Sequence, residues 1–289
     1  MIYLDSFRVP DQHAEDMYLH EIKMTCFDSY YPFHVFRYRR VPEITFAPIT
    51  ILYGGNGSGK STLLNVMADK LHVKRGAPCN RSSFFGDYVD LCDYELDRRT
   101  LSLPEGSRII TSDDVFDYLL NLRSLNQGVD TSREAMFEEY QRQKKRDDFR
   151  LRSMADYEEL RDIVDARRMT QSKYVRSRLA ENVRERSNGE SALTFFTEAV
   201  REDALYLLDE PENSLSPKLQ LELRQFLADS ARFYRCQLVI ATHSPFLLSL
   251  PQAKIYDLDQ TPPCQAKWTE LENIRVYRAF FREHEEAFE

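Results

Sequence analysis

Short apolar runs alternate along this chain with longer stretches that carry polar side chains in helical rhythm. Residues 49–53 (ITILY) are five β-favouring positions in a row, which predicts a strand buried on both faces. Beyond the glycines that follow, Leu64, Met67, Ala68 and Leu71 recur at i, i+3, i+4 and i+7, so a helix with one apolar face is expected. Residues 204–208 (ALYLL) read as a second buried strand and residues 236–242 (CQLVIAT) as a third. Between them Leu219, Leu223, Phe226 and Leu227 mark an amphipathic helix, entered through Ser216 as N-cap and Pro217 as first helical residue. Residues 107–111 (SRIIT) predict a further strand, residues 253–258 a last one, and residues 270–288 a closing helix. The β-like runs at 2–4 and 44–46 predict an antiparallel layer. Residues 74–106 mix Gly, Pro, Asp and aromatics and read as irregular, anchored by Phe84 and Phe85.

The rhythm changes between residues 129 and 186. Turn-formers thin out and long charged side chains dominate. Thr131 and Glu134 form a capping-box pattern, and Phe149, Met154, Tyr157, Leu160 and Ile163 or Val164 recur at about helical spacing. Two or three inserted helices are expected, dividing the chain into residues 1–128, 129–186 and 187–289. A hairpin of such helices would extend only about 40 Å at ~1.5 Å per residue, and heptads are not sustained.

Composition narrows the class. A net charge of -8 over 289 residues does not suggest a general nucleic-acid coat, though it leaves room for a local basic face. The inserted segment is the basic part of this acidic chain: from Arg133 to Arg186 there are 15 Arg or Lys against 12 Asp or Glu. Arg142, Lys144, Lys145, Arg146, Arg150 and Arg152 cluster there. The uses that fit residues 142–178 are a phosphate-backbone face for DNA or RNA, a solvated helix laced by i, i+4 pairs, or a docking surface for a protein partner. The interleaved acids favour the solvated helix or the protein partner. Five scattered cysteines without a CxxC pair argue against a disulfide framework or a zinc site. The start, MIYLDSFRVP, lacks the order of a signal peptide, and no apolar run approaches the ~20 residues that span a bilayer. A cytoplasmic protein without membrane attachment is expected.

The chemistry begins at Gly54. Gly54-Gly55-Asn56-Gly57-Ser58-Gly59-Lys60-Ser61 fits G-x-x-x-x-G-K-[ST], between a predicted strand and a predicted helix. Glycines let backbone N–H groups converge on one point, and the helix N-terminus adds partial positive charge. Lys60 has the reach for the outer phosphates of a nucleoside triphosphate, and the Ser61 hydroxyl suits Mg²⁺. A bland glycine-rich turn would not explain the strand before, the helix after and the Lys-Ser ending.

The second centre is Asp209-Glu210, where the strand at 204–208 ends. Successive strand residues face opposite sides, so the two acids can take different tasks. Asp209 suits the Mg²⁺ shell, and Glu210 suits the orientation or deprotonation of an attacking water. His243 closes the third strand, where it can contact a γ-phosphate or that water.

Together GGNGSGKST, SNGES, YLLDEPENSLSP and ATHSPFLL resemble the ABC-type ATPase heads. The likeness is to their soluble branch, which includes RecF, Rad50 and SMC heads, OLD-type proteins and small bacterial predicted ATPases. It covers the N-terminal fifth and the C-terminal third of the chain. It implies an α/β P-loop NTPase with a mostly parallel central sheet, an antiparallel β layer and an inserted helical subdomain. Gly54, Asn56, Gly57, Ser58, Gly59, Lys60, Ser61 and Thr62 then belong to Walker A. Asp209 is the Walker B aspartate, Glu210 the catalytic glutamate, Ser214-Leu215-Ser216 the D-loop and His243 the switch histidine. Residues 187–191 fall at the signature, whose Ser187 and Gly189 would contact the γ-phosphate held by the opposite subunit. A helix is expected to open at Ser191.

Three departures stand out. Asn188 and Glu190 replace the Gly and Gln of the transporter signature LSGGQ, and Arg186 precedes the serine. No Q-loop glutamine is evident. Ser112-Asp113-Asp114 takes its place, with Asp113 either a contact for the metal water or, with Ser112, a helix cap. Phe36, Tyr38 and Phe46 are the candidates for stacking on adenine, and the preference for ATP over GTP rests on the resemblance. The expected protein binds and hydrolyses ATP with Mg²⁺, dimerises head to tail around it and controls an effector such as a nuclease or toxin in a phage-defence module. A RecF- or SMC-like DNA-repair ATPase is the alternative, and the energising subunit of a membrane transporter a second one.

Overall fold

The strand-forming runs assemble into two sheets in a computed structural model that describes residues 1–22, 26–145, 157–179 and 187–288. In chain order the elements are β1 (Leu4–Arg8), α1 (Gln12–Glu21), β2 (Ile44–Thr45), β3 (Ile49–Tyr53), α2 (Lys60–Lys70), α3 (Phe85–Asp90), β4 (Asp93–Leu96), β5 (Arg108–Thr111), α4 (Ser112–Lys145), α5 (Tyr157–Arg168), α6 (Gln171–Arg176), α7 (Asn188–Ala199), β6 (Leu205–Asp209), α8 (Pro217–Phe233), β7 (Gln237–Ala241), α9 (Pro245–Leu248), β8 (Lys254–Asp257), β9 (Cys264–Gln265) and α10 (Glu272–Glu283). They form two compact units: Met1–Phe116 with Asn188–Glu289, and Asp117–Ser187.

In the first unit a six-stranded sheet has the order β5-β6-β7-β3-β8-β9. Its first five strands are parallel, and β9 joins antiparallel at the edge. Every residue of β3 and β7 is buried, as are the first four of β6. Strands covered on both faces have no polar side to alternate with, which is why they read as unbroken apolar runs. Each fully buried Leu or Ile among them contributes roughly 1.5–3 kcal/mol. The register sets Thr111 opposite Asp209, Asp209 opposite Ala241 and Ala241 opposite Leu52. Four strands therefore end at one level, and the loops after them open on one edge of the sheet.

The antiparallel layer is a second sheet, β2-β1-β4. Fully buried Gln237 on β7 fastens it to the main sheet. Its Oε1 accepts from the N–H groups of Tyr3 and Leu4, and its Nε2 donates to Leu4 O, all at 2.8 Å. Part of the segment expected to be irregular supplies α3 and β4. Its Phe84 and Phe85 are buried anchors, as expected. Helix α1 had no sequence prediction; Asp11 caps it by accepting from the Ala14 N–H at 2.8 Å.

The second unit is helical. Tyr140, Ala166, Tyr174 and Val175 form its core cluster. The Arg178 guanidinium lies 3.8 Å above the Tyr174 ring and donates to Asp162 at 2.8 Å and Asp165 at 3.0 Å. Helix α4 begins at Ser112, where a helix cap is one of the two readings, and runs unbroken through residue 129, the expected start of the inserted segment. Thr131 is inside it and caps nothing: its hydroxyl donates 3.0 Å back to Gln127 O, the bond a mid-helix threonine makes to the preceding turn. Ile163 faces the interior and Val164 is exposed. Phe149, Met154, Arg146, Arg150, Arg152, Arg184 and Arg186 lie outside the described residues.

Candidate functional site

The glycine loop leaves β3 at the level set by the sheet and enters α2. Gly59 has φ +94°, and a Cβ on it would lie 2.7 Å from the Phe36 ring, so glycine is required there for both backbone and space. Phe36 is thus a buried seal beneath the loop, and Phe46 is core; of the three adenine candidates only Tyr38 is exposed. Asn56 and Gly57 face solvent, whereas Ser58 and Lys60 are buried. Lys60 Nζ donates to Gly54 O at 2.8 Å and Gly55 O at 3.1 Å. Its burial lowers the ammonium pKa, while Glu210, Asp209, Asp259 and Glu212 pull it back up. Thr62 Oγ1 accepts from the Tyr31 hydroxyl at 3.1 Å.

The end of β6 meets this loop. Ser61 Oγ donates to Asp209 Oδ1 at 3.0 Å. Burial pushes the Asp209 carboxyl up to about 6, against the opposing hydrogen bond from Ser61. Glu210 follows with φ +47°, a left-handed backbone uncommon for a non-glycine residue, held by a 2.9 Å bond from its N–H to Ala241 O. Such strain costs about 1–3 kcal/mol and aims the side chain where an ordinary strand end would not. His243 Nε2 lies 3.5 Å from Glu210 Oε1, and Asn213 Nδ2 donates to Oε2 at 3.0 Å. His243 foremost, then Asn213 and Lys60, hold the Glu210 carboxyl down at about 2, against its partial burial. At 3.5 Å the His243 contact is at the long end for a hydrogen bond.

Three participants carried no clear signal in the chain. Glu212 Oε1 accepts from Thr242 Oγ1 at 2.6 Å, His243 N at 2.8 Å and Ser244 N at 3.0 Å, fixing the start of the histidine loop. Asn273 Nδ2, at the start of α10, donates to His243 O at 2.9 Å. Asp259 Oδ2, after β8, accepts from Gly55 N at 2.7 Å. The third acid of DEPE hinted at Glu212. Nothing local points to Asp259 or Asn273, because their partners lie about 200 and 30 residues away.

Beside β6, Thr111 and Asp114 exchange bonds across the start of α4: Thr111 N and Oγ1 donate to Asp114 Oδ2 at 2.7 and 2.9 Å, and Asp114 N reaches Thr111 Oγ1 at 3.4 Å. Asp114 and Thr111, rather than Ser112 and Asp113, thus make the cap. Asp113 is exposed two residues beyond the strand position paired with Asp209. Ser187 is exposed just ahead of α7. That helix starts at Asn188 rather than Ser191, so Gly189 sits in its first turn. A Cβ on Gly189 would meet Leu219 Cδ1 at 2.7 Å and Ser214 O at 3.3 Å, so Gly189 abuts the segment at Ser214 and the start of α8.

Among the described residues no group of three His, Cys, Asp or Glu side chains gathers as a metal cage. Mg²⁺ beside a nucleotide does not need one, since waters and phosphates complete its shell. A hydroxyl touching a half-buried carboxylate whose charged form is disfavoured by desolvation, with further acids around one lysine, is a donor set that fits the ion. No helix among the described residues is long and apolar enough to cross a membrane.

The strand order, the glycine loop and the two acids at the sheet edge define a P-loop NTPase of the ABC-type ATPase head class. The family model described as AAA domain, putative AbiEii toxin, Type IV TA system matches residues 88–249, more than half of the chain, and the chain belongs to that family. Members of the ABC and AAA ATPase families generally bind ATP with Mg²⁺. None of the curated proteins matches the chain. Among solved structures, it is similar to the Smc head domain with an extended coiled coil bound to the C-terminal domain of ScpA, from Pyrococcus furiosus. That match has 13% identity and a TM-score of 0.46, over 97% of this chain and 100% of that one. A nucleotide-free ATP-binding cassette from an ABC transporter has 14% identity and a TM-score of 0.42, over 96% of both chains. An ATP-binding cassette in a dimeric post-hydrolysis state bound to ADP and Pi has 14% identity and a TM-score of 0.37, over 80% of this chain and 90% of that one.

Proposed function

We propose that this protein is an ATP-hydrolysing switch that closes on itself as a dimer around ATP. The observation that carries the reading is the junction of Ser61 with Asp209, with Glu210 and His243 beside it. The loop N–H groups from Gly54 to Thr62 bind the phosphates, and Lys60 exchanges its carbonyl partners for their outer oxygens. Ser61 and Asp209 would hold Mg²⁺, with Asp113 as an outer contact; the ion supplies charge neutralisation at the phosphate oxygens. Glu210 stays ionised and orients the attacking water. Once His243 turns from Glu210 to the γ-phosphate, the carboxylate loses its strongest stabilising neighbour and becomes a better base.

Ser187 and Gly189 of a second copy complete the enclosure in this reading. Hydrolysis removes the γ-phosphate bridge, and the dimer opens. The switch controls an effector, a nuclease or toxin, in a bacterial anti-phage module; the toxin and toxin–antitoxin wording of the family description supports that setting. The protein works in the cytoplasm. The nucleic-acid alternative loses ground in the second unit, where Arg178 is engaged by Asp162, Asp165 and Tyr174, Arg142 by Glu139 at 3.4 Å, and Lys144 by Tyr140. Release of phosphate from ATP with Mg²⁺, together with light scattering with and without ATP, tests the reading. A chain that neither hydrolyses ATP nor changes mass with it refutes the proposal.

A further inference from the structure

The loop that carries His243 is gripped from two sides. Glu212 takes its incoming N–H groups, and the Asn273 amide takes the His243 carbonyl. A carbonyl only accepts, so the amide must present its nitrogen there, and the orientation of Asn273 follows from chemistry. Asn273 also uses its backbone: its N–H donates 3.2 Å to the hydroxyl of Tyr53, the last residue of β3 before the phosphate loop. One residue thus spans the strand that delivers Lys60 and the loop that delivers His243. Leu271, two positions earlier, is 1% exposed and anchors this end of the helix. The rest of α10 is held loosely, for none of its residues is fully buried and Val276, Tyr277, Phe280 and Phe281 are each about half exposed or more.

We infer that Asn273 is a positioning residue for His243, and that α10 acts on hydrolysis through this single amide. The inference rests on the ATPase reading above. An amide bond to the carbonyl fixes the rotation of the histidine backbone, and so the direction from which the imidazole reaches the γ-phosphate. Its bonds go to the His243 carbonyl and the Tyr53 hydroxyl, so it is expected to govern turnover and leave binding alone.

The experiment is a double-mutant cycle on the full chain, with ATP and Mg²⁺: wild type, Asn273→Ala, His243→Ala and the double variant, each checked by thermal melting. Asn273→Ala is expected to lower kcat about tenfold, the equivalent of one lost hydrogen bond, with KM changed less than about twofold. In the His243→Ala background the same change should have no further effect, because its target is gone. Asn273→Asp is the second variant: it keeps the shape, lacks the donor and should lose at least as much rate as Ala. Wild-type turnover in both Asn273 variants, or effects that multiply in the double variant, overturn the inference while leaving the ATPase reading standing. A wild-type chain without ATP turnover overturns that reading and this inference with it.

Discussion

Ser61 and Asp209, 148 residues apart in the chain, are joined by a 3.0 Å hydrogen bond from hydroxyl to carboxylate. The bond makes one site of two motifs. It also sets an electrostatic problem, for the half-buried carboxylate lies beside Glu210 and Glu212 with Lys60 as the nearby cation. A site built this way is least comfortable when empty and ionised.

Glu210→Gln should separate binding from turnover. The substitution keeps the size and the Asn213 partner but removes the acceptor for the water proton. A loss of ATP hydrolysis of roughly 10²–10⁴-fold is expected, with ATP binding retained and an ATP-dependent dimer trapped. Phosphate release and light scattering on the same samples check it, and normal hydrolysis by the variant removes Glu210 from the mechanism.

Asp209 makes a pH prediction with a defined sign. Its folded carboxyl is raised from 3.8 to about 6. The folded state therefore keeps this proton longer than the unfolded state, and the group's stabilising contribution is full below about pH 4 and lost as pH climbs to about 6. The loss is on the order of 2–3 kcal/mol. Asp209→Asn keeps an acceptor for Ser61 without the charge, so the nucleotide-free variant should melt higher than wild type at pH 7 and yet fail to turn over ATP. A variant that melts lower at pH 7 contradicts the assigned burial cost.

Gly59→Ala forces a Cβ into the Phe36 ring at a left-handed backbone position. The backbone cost alone is about 1–2 kcal/mol, and the overlap adds about 1–3 kcal/mol. Reduced thermal stability and weakened nucleotide binding should appear together, measured by melting and by fluorescent-nucleotide titration. Unchanged binding would mean that the loop does not need this geometry.

In the second unit, Arg178→Ala removes two carboxylate bonds and a cation–π stack on Tyr174. A stability loss of about 1–3 kcal/mol is expected in denaturant titration. DNA retention, if any, should show neither steep salt dependence nor sensitivity to this change. A log-linear fall of binding with salt that Arg178→Ala or reversal of Lys144 and Lys145 flattens would instead support the nucleic-acid alternative.

Much of the site was legible because its motifs are local. The glycine loop, DEPE and the histidine after β7 each lie within about ten residues of a strand whose apolar run announces it. Phe36 was misjudged because an aromatic near a phosphate loop suits a base or a core equally, and only the contact with Gly59 decides. The 34-residue α4 runs through the boundary expected at residue 129, since a capping pattern at the exposed mid-helix Thr131 looks the same as one at a helix start. The strand β4 went unseen because three of its four residues are exposed and carry no alternation.

The sequence by itself determined the strands buried on both faces, the phosphate loop and the acids and histidine at strand ends. Those features depend on neighbours within a turn or a strand, where side-chain type and spacing suffice. The tertiary structure decided the order β5-β6-β7-β3-β8-β9, and through it which distant residues meet: Ser61 with Asp209, Gln237 with the first strand, Glu212 and Asn273 around His243. The physical reason is that a parallel sheet joins strands through long crossovers, so register and adjacency come from packing of the whole core and no short segment encodes them.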